Sequence, residues 1–135
     1  MKHTIAILLV GALFAACGGR GDDEEAAEVF FANLKDGDTV TSPVKVEMGV
    51  TGMKLEPAGP IVEGSGHHHI LINKGPMPFG EIIPNDETHR HYGKAQTEAE
   101  LELEPGEYQL TLQYANGIHA SYGPDLAASI NITVE

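Results

Sequence analysis

The sequence predicts an all-β domain, a two-sheet antiparallel sandwich that carries a histidine-rich insert. Three observations predict it: short segments in which apolar and polar residues alternate, Gly- and Pro-containing turns between them, and no segment with a sustained helical period and caps. Period-two alternation puts every second side chain on one face of a strand, so such a run buries one face and turns the other to water.

The first run follows the turn Asp36-Gly37-Asp38 and Pro43, where Val44, Val46, Met48 and Val50 alternate with Lys45, Glu47 and Gly49. Leu101 and Leu103 flank Glu102 as a second run, although Glu98 to Leu103 would also suit one helical turn. After Pro105-Gly106, Tyr108, Leu110, Leu112 and Tyr114 share one face, and Gln109, Thr111 and Gln113 share the other. Asn116-Gly117 signals a turn, and Ile130, Ile132 and Val134 form the last strand. Leu103-Glu104-Pro105-Gly106-Glu107-Tyr108 resembles the tyrosine corner of immunoglobulin-like and fibronectin-type sandwiches, in which the Tyr hydroxyl bonds back to the preceding turn. With one cysteine and no tryptophan in the chain, the expected frame is a disulfide-free relative of those sandwiches, a single domain over 29–135.

The stretch from about 51 to 100 is not required by that frame and reads as a functional insert. Gly52 to Gly66 holds two prolines and four glycines and should be loop, whereas His67 to Asn73 is strand-like. Pro76, Pro78, Gly80 and Pro84 break any long element, which leaves His89 and His91 on a loop or short strand.

At the other end, Met1-Lys2-His3 precedes an apolar stretch from Ile5 to Ala16. A positive start, a short apolar core and small residues describe a secretory signal over 1–16, too short to span a bilayer. Phe14-Ala15-Ala16-Cys17 resembles the bacterial lipobox, which implies a lipid on Cys17 and an exported protein held at a membrane. A lone exported cysteine has no partner for a disulfide, and that favours the anchor. With Gly18 and Gly19 next, the pattern resembles outer-membrane sorting if the host has two membranes. Residues 17–28 are small, polar and acidic and read as a tether. Asp and Glu outnumber Lys and Arg 20 to 8, so nucleic acid and anionic lipid are poor partners.

The chemistry lies in the histidines. Five of the seven fall in two runs, His67-His68-His69 and His89-Arg90-His91, and His119 follows the Asn116-Gly117 turn. Residues two apart on a strand project the same way, roughly 6.6 Å apart along the backbone. Two imidazoles so placed can hold one ion, which makes His67, His69, His89 and His91 candidate ligands, with His119 as a further nitrogen. Imidazole suits copper, zinc or nickel rather than calcium or magnesium. Copper comes first, because exported His-rich sites commonly meet it and because Met48, Met53 and Met77 could offer soft sulfur, although Met48 follows core spacing, Met53 lies in the loop and only Met77 stands near the insert; zinc, with three histidines and a water or carboxylate, is the alternative. Because histidine must be neutral to ligate, binding should fade as pH falls through roughly 6.5 toward 5.

Other readings of the histidines compete with this one. They can brace the insert by hydrogen bonds, as buried ring nitrogens need partners, or form a pH sensor. A zinc centre could instead activate water, with Glu81, Asp86 or Glu87 as base or as acceptor for a ligand's outer nitrogen. The cupin pattern is excluded by the lack of a glycine six residues before His67 and of a glutamate four or five after His69. No nucleophile elbow, phosphate-binding loop or Cys-x-x-Cys pair is present.

Gly66-His67-His68-His69-Ile70-Leu71-Ile72, then Ile83-Pro84, His89-x-His91-x-Gly93-Lys94-x-Gln96-Thr97 and Leu103-x-Pro105-Gly106, resemble the bacterial family catalogued as domain of unknown function 4399. The resemblance covers most of His67 to Glu135, with Ala95 where the family usually has Gly. It implies an exported or lipid-anchored β domain and carries no activity with it. The expectation that results is a lipid-anchored envelope protein that binds a transition metal for handling or storage. A non-catalytic interaction module is the alternative, and a zinc hydrolase the third.

Overall fold

The computed structural model describes residues 26–135. The expected signal over 1–16, Cys17 and the tether as far as residue 25 lie outside the described residues. Nine strands follow in order: β1 (Glu28–Phe31), β2 (Asp38–Val40), β3 (Val44–Thr51), β4 (Lys54–Leu55), β5 (Ser65–Ile72), β6 (His89–His91), β7 (Glu98–Leu101), β8 (Gly106–Ala115) and β9 (Ala127–Val134). Among the described residues, the helical content is one 3-10 turn, Pro124–Leu126. The domain is all-β, as the alternation predicts.

The strands form two sheets. The smaller has the order β1-β3-β7, antiparallel throughout. The larger runs β2-β9-β8-β5-β4, with β6 also paired to β5 beyond the short β4. Its central pairs, β5 with β8 and β8 with β9, are antiparallel, while β2 and β4 add to its edges in parallel.

The two sheets share one core. Val44, Val46 and Met48 of β3 and Leu101 of β7 meet Ile70, Ile72, Leu110, Leu112, Tyr114, Ile132 and Val134 of the larger sheet. These are the alternating positions of the sequence, and Val50, Leu103, Tyr108 and Ile130 pack at their margin. Tyr108 makes the expected corner, its hydroxyl donating to the Glu104 carbonyl at 2.7 Å.

One alternative falls and one expectation is corrected. Glu98 to Leu101 is strand, paired with β3 in the register Val44↔Leu101 to Glu47↔Glu98, because Ala99 and Leu101 then enter the core. The presumed insert is also part of the frame: β5 is a central strand of the larger sheet, and β7 completes the smaller one. All eight residues of β5 are buried, so its alternation divides two interiors rather than core from solvent.

The second interior lies on the far side of β5 and β8. Thr111 and Gln113, expected to face water, are fully buried there. The segment after β5 covers them: Thr111 Oγ1 donates to the Lys74 carbonyl at 2.6 Å, and Met77 N–H donates to Gln113 Oε1 at 3.0 Å. Leu71, Ile83 and Ala115, with Met77 against them, form a small apolar cluster under this cover. The prolines that break regular structure between 76 and 84 thus serve to lay a loop across a sheet.

Candidate metal centre

The pleat of β5 sorts its histidines. His68 shares the main-core face with Ile70 and Ile72, and its ring lies 5.1 Å from that of Tyr114. His67 and His69 take the other face, beside Leu71 and under the loop cover. β6 pairs with β5 so that His91 stands directly opposite His69. This register makes a same-face neighbour out of a residue 22 positions away in the chain.

The fourth imidazole comes from the turn after β8. His119 has φ 68°, in the left-handed region, and Asn116 builds the turn that holds it there. The Asn116 side-chain oxygen accepts from Ile118 N–H at 3.1 Å and Ala120 N–H at 3.0 Å, and His119 N–H donates to the Asn116 carbonyl at 2.9 Å. Ile83 N–H donates to the His119 carbonyl at 2.9 Å, which ties the turn to the covering loop. Gly117 has the Gly59 and Pro60 carbonyl oxygens 2.6 and 2.4 Å from where a Cβ would be, so only glycine allows that approach.

One ligand nitrogen from each of His67, His69, His91 and His119 lies within 4.8 Å of the others. Ring centroids in the group are 4.4 to 5.7 Å apart. His67 Nε2 and His119 Nδ1 are 3.1 Å apart, so one must carry the hydrogen that the other accepts. His67 Nδ1, His69 Nδ1 and His91 Nε2 are buried with no protein partner. His67 and His69 are 0% and 1% exposed.

Burial and mutual proximity disfavour the charged forms of His67, His69 and His91. Desolvation, with the nearby His119 and His91, pushes the His67 pKa down to about 4. His69 falls to about 2, from burial first and then from His67, His91 and His119. Burial also lowers His91, with His119 adding to it. At neutral pH His67, His69 and His91 are therefore neutral imidazoles, each with one ring lone pair free of a proton, the state that metal ligation requires.

Of the five candidate ligands, His67, His69, His91 and His119 come together, and His89 stands apart. Its Nδ1 donates to Asp86 Oδ1 at 2.7 Å, and it lies opposite Leu71, two residues along β6 from His91. The same carboxylate oxygen accepts from Thr88 N–H, Thr88 Oγ1 and His89 N–H at 3.0, 3.1 and 3.0 Å. The hydrogen bond from His89, more than any other contact, takes the Asp86 pKa down to about 2. Asp86 is thus spent on shaping the entry to β6.

The methionines do not bear out the sulfur argument for copper. Met48 lies in the main core and Met53 packs against it, while Met77 packs on Leu71, Ile83 and Ala115. The sequence reading also missed Gly93. A Cβ there would meet the His91 ring atoms Cε1 and Nε2 at 2.4 Å, so its absence makes room for that ring.

A family model described as Domain of unknown function (DUF4399) matches residues 46–135, a span that contains all four clustered histidines. Comparisons with curated proteins and with solved structures find no match.

Proposed function

Given that the chain belongs to the DUF4399 family, we propose that it is an exported, lipid-anchored protein that binds one transition-metal ion for handling or storage outside the cytoplasm. The observation that carries this reading is the four-imidazole group itself, with ligand nitrogens within 4.8 Å of one another. Three buried ring nitrogens of the group lack a protein partner, as do both of His68 on the core face, so it is the convergence of four rings that distinguishes the group from a bracing histidine.

Copper is the first metal and zinc the second. With sulfur out of the argument, the preference rests on the Irving–Williams order, in which nitrogen ligands hold Cu²⁺ more tightly than Zn²⁺. Hydrolysis is the weaker reading, since among the described residues no carboxylate belongs to the group and Asp86 is committed to His89. Protein purified without a histidine tag and dialysed against limiting copper or zinc tests the proposal. One ion per chain is expected, and its loss in His67→Ala/His69→Ala. A wild-type protein that retains no ion would overturn it.

A further inference from the structure

The four imidazoles do not enclose their centre. A cavity of about 130 Å³ lies against His69, His91 and His119, and its remaining wall is Ile83, Pro84 and Asn85. The inner end is closed, His69 being 1% exposed and Ile83 4%. The outer end is open, with Pro84 and Asn85 exposed and His91 and His119 partly so. His69 and His91, which line this cavity, each also hold one buried ring nitrogen that has no protein partner.

A site meant only to clamp an ion fills its coordination sphere with protein, whereas a site that exchanges ligands keeps one position open. Were the ion Cu(II), which accepts more than four donors, His67, His69, His91 and His119 could hold it and still leave room for an outside donor. The walls set the size of that donor. A water molecule takes about 30 Å³ in the liquid, so the cavity holds on the order of four waters. Ile83 and Pro84 offer no hydrogen bonds, and the Asn85 amide is the one polar side chain in the wall besides the imidazoles. No carboxylate lines the cavity, so an anion would not be turned away by its wall.

We infer that the metal centre binds a small exogenous donor, a water or an anion of up to about three heavy atoms, in the cavity between His69, His91, His119 and Asn85. The inference rests on the metal-binding reading above. It adds that the bound ion meets small molecules directly, which a sealed storage site would prevent.

Azide is a suitable probe. The full chain is loaded with one equivalent of copper(II), metal content is measured, and azide is titrated while the visible absorption and electron paramagnetic resonance spectra are followed. A saturable one-to-one change, with a new azide-to-copper band, is expected. Asn85→Trp, which fills the mouth from an exposed position, should lose that change and keep its copper; Asn85→Leu is the second filling variant should the first not fold. Stoichiometric copper with a spectrum indifferent to azide would overturn this inference alone. So would an undiminished azide response in a filling variant that keeps its copper. Failure of the wild-type chain to take up copper or zinc would overturn the metal-binding reading and this inference with it.

Discussion

Each unpartnered nitrogen in the cluster, on His67, His69 and His91, costs the metal-free fold about 1–3 kcal/mol. Residues that orient these rings should therefore matter nearly as much as the rings. Gly93→Ala would press on the His91 ring at 2.4 Å and should weaken metal binding on the order of tenfold, the size of a lost orienting partner, with the β-rich circular dichroism unchanged. Equal affinity in a binding titration would show that the His91 ring does not depend on the room that Gly93 leaves. His89→Ala should keep one ion per chain, because that ring is engaged by Asp86; loss of the ion would place His89 in the site after all. The His-x-His spacing announces both pairs equally in the sequence. What separates them is the strand register, His69↔His91, and a local carboxylate, neither of which a spacing of two residues encodes.

Among the elements, β5 decides the architecture of the site. It delivers His67 and His69 to one interior and Ile70 and Ile72 to the other, so removing the two ligands should leave the sheet standing. His67→Ala/His69→Ala should abolish metal uptake and preserve a cooperative urea transition; an unfolded variant would mean that the pair is structural. Tyr108→Phe removes the hydroxyl donated to Glu104 and should cost about 0.5–1.5 kcal/mol in the same assay without touching metal content. Strands β3, β8 and β9 were legible because each alternates apolar and polar residues. β5 was legible as a strand but not as a central one, since an alternation of His67, His69 and Leu71 with His68, Ile70 and Ile72 has no polar face to read. β1 and β2, with four and three residues, are too short to show a period, and Glu98 to Leu101 declared itself only through its pairing with β3.

In the whole molecule the main core excludes the four clustered histidines, so the domain should fold without metal. Metal at a free concentration a hundred times its dissociation constant should then add about 2.7 kcal/mol. Burial places the protonation of two of the four clustered histidines, His67 and His69, below the expected fade between 6.5 and 5. In the unfolded chain these imidazoles protonate near 6.5, whereas folded His67 and His68 stay neutral down to about 4 and His69 to about 2. Between those limits the unfolded chain holds more protons, so the metal-free fold loses stability as pH falls from 6.5 toward 4. His67 and His69 should nevertheless still hold metal at pH 5, because their own protonation begins lower; complete release by pH 5.5 in a dialysis series would contradict the burial of that pair. For the anchor, mass spectrometry of membrane-extracted protein should find Cys17 acylated and first in the mature chain, and a free Cys17 thiol on a soluble form would refute it. The central claim, a single ion held by four imidazoles, is met most directly by X-ray absorption at the metal edge of the loaded protein. The account predicts a first shell of nitrogen at about 2.0 Å with imidazole scattering beyond it and no sulfur; a shell dominated by oxygen, or one containing sulfur, would contradict it.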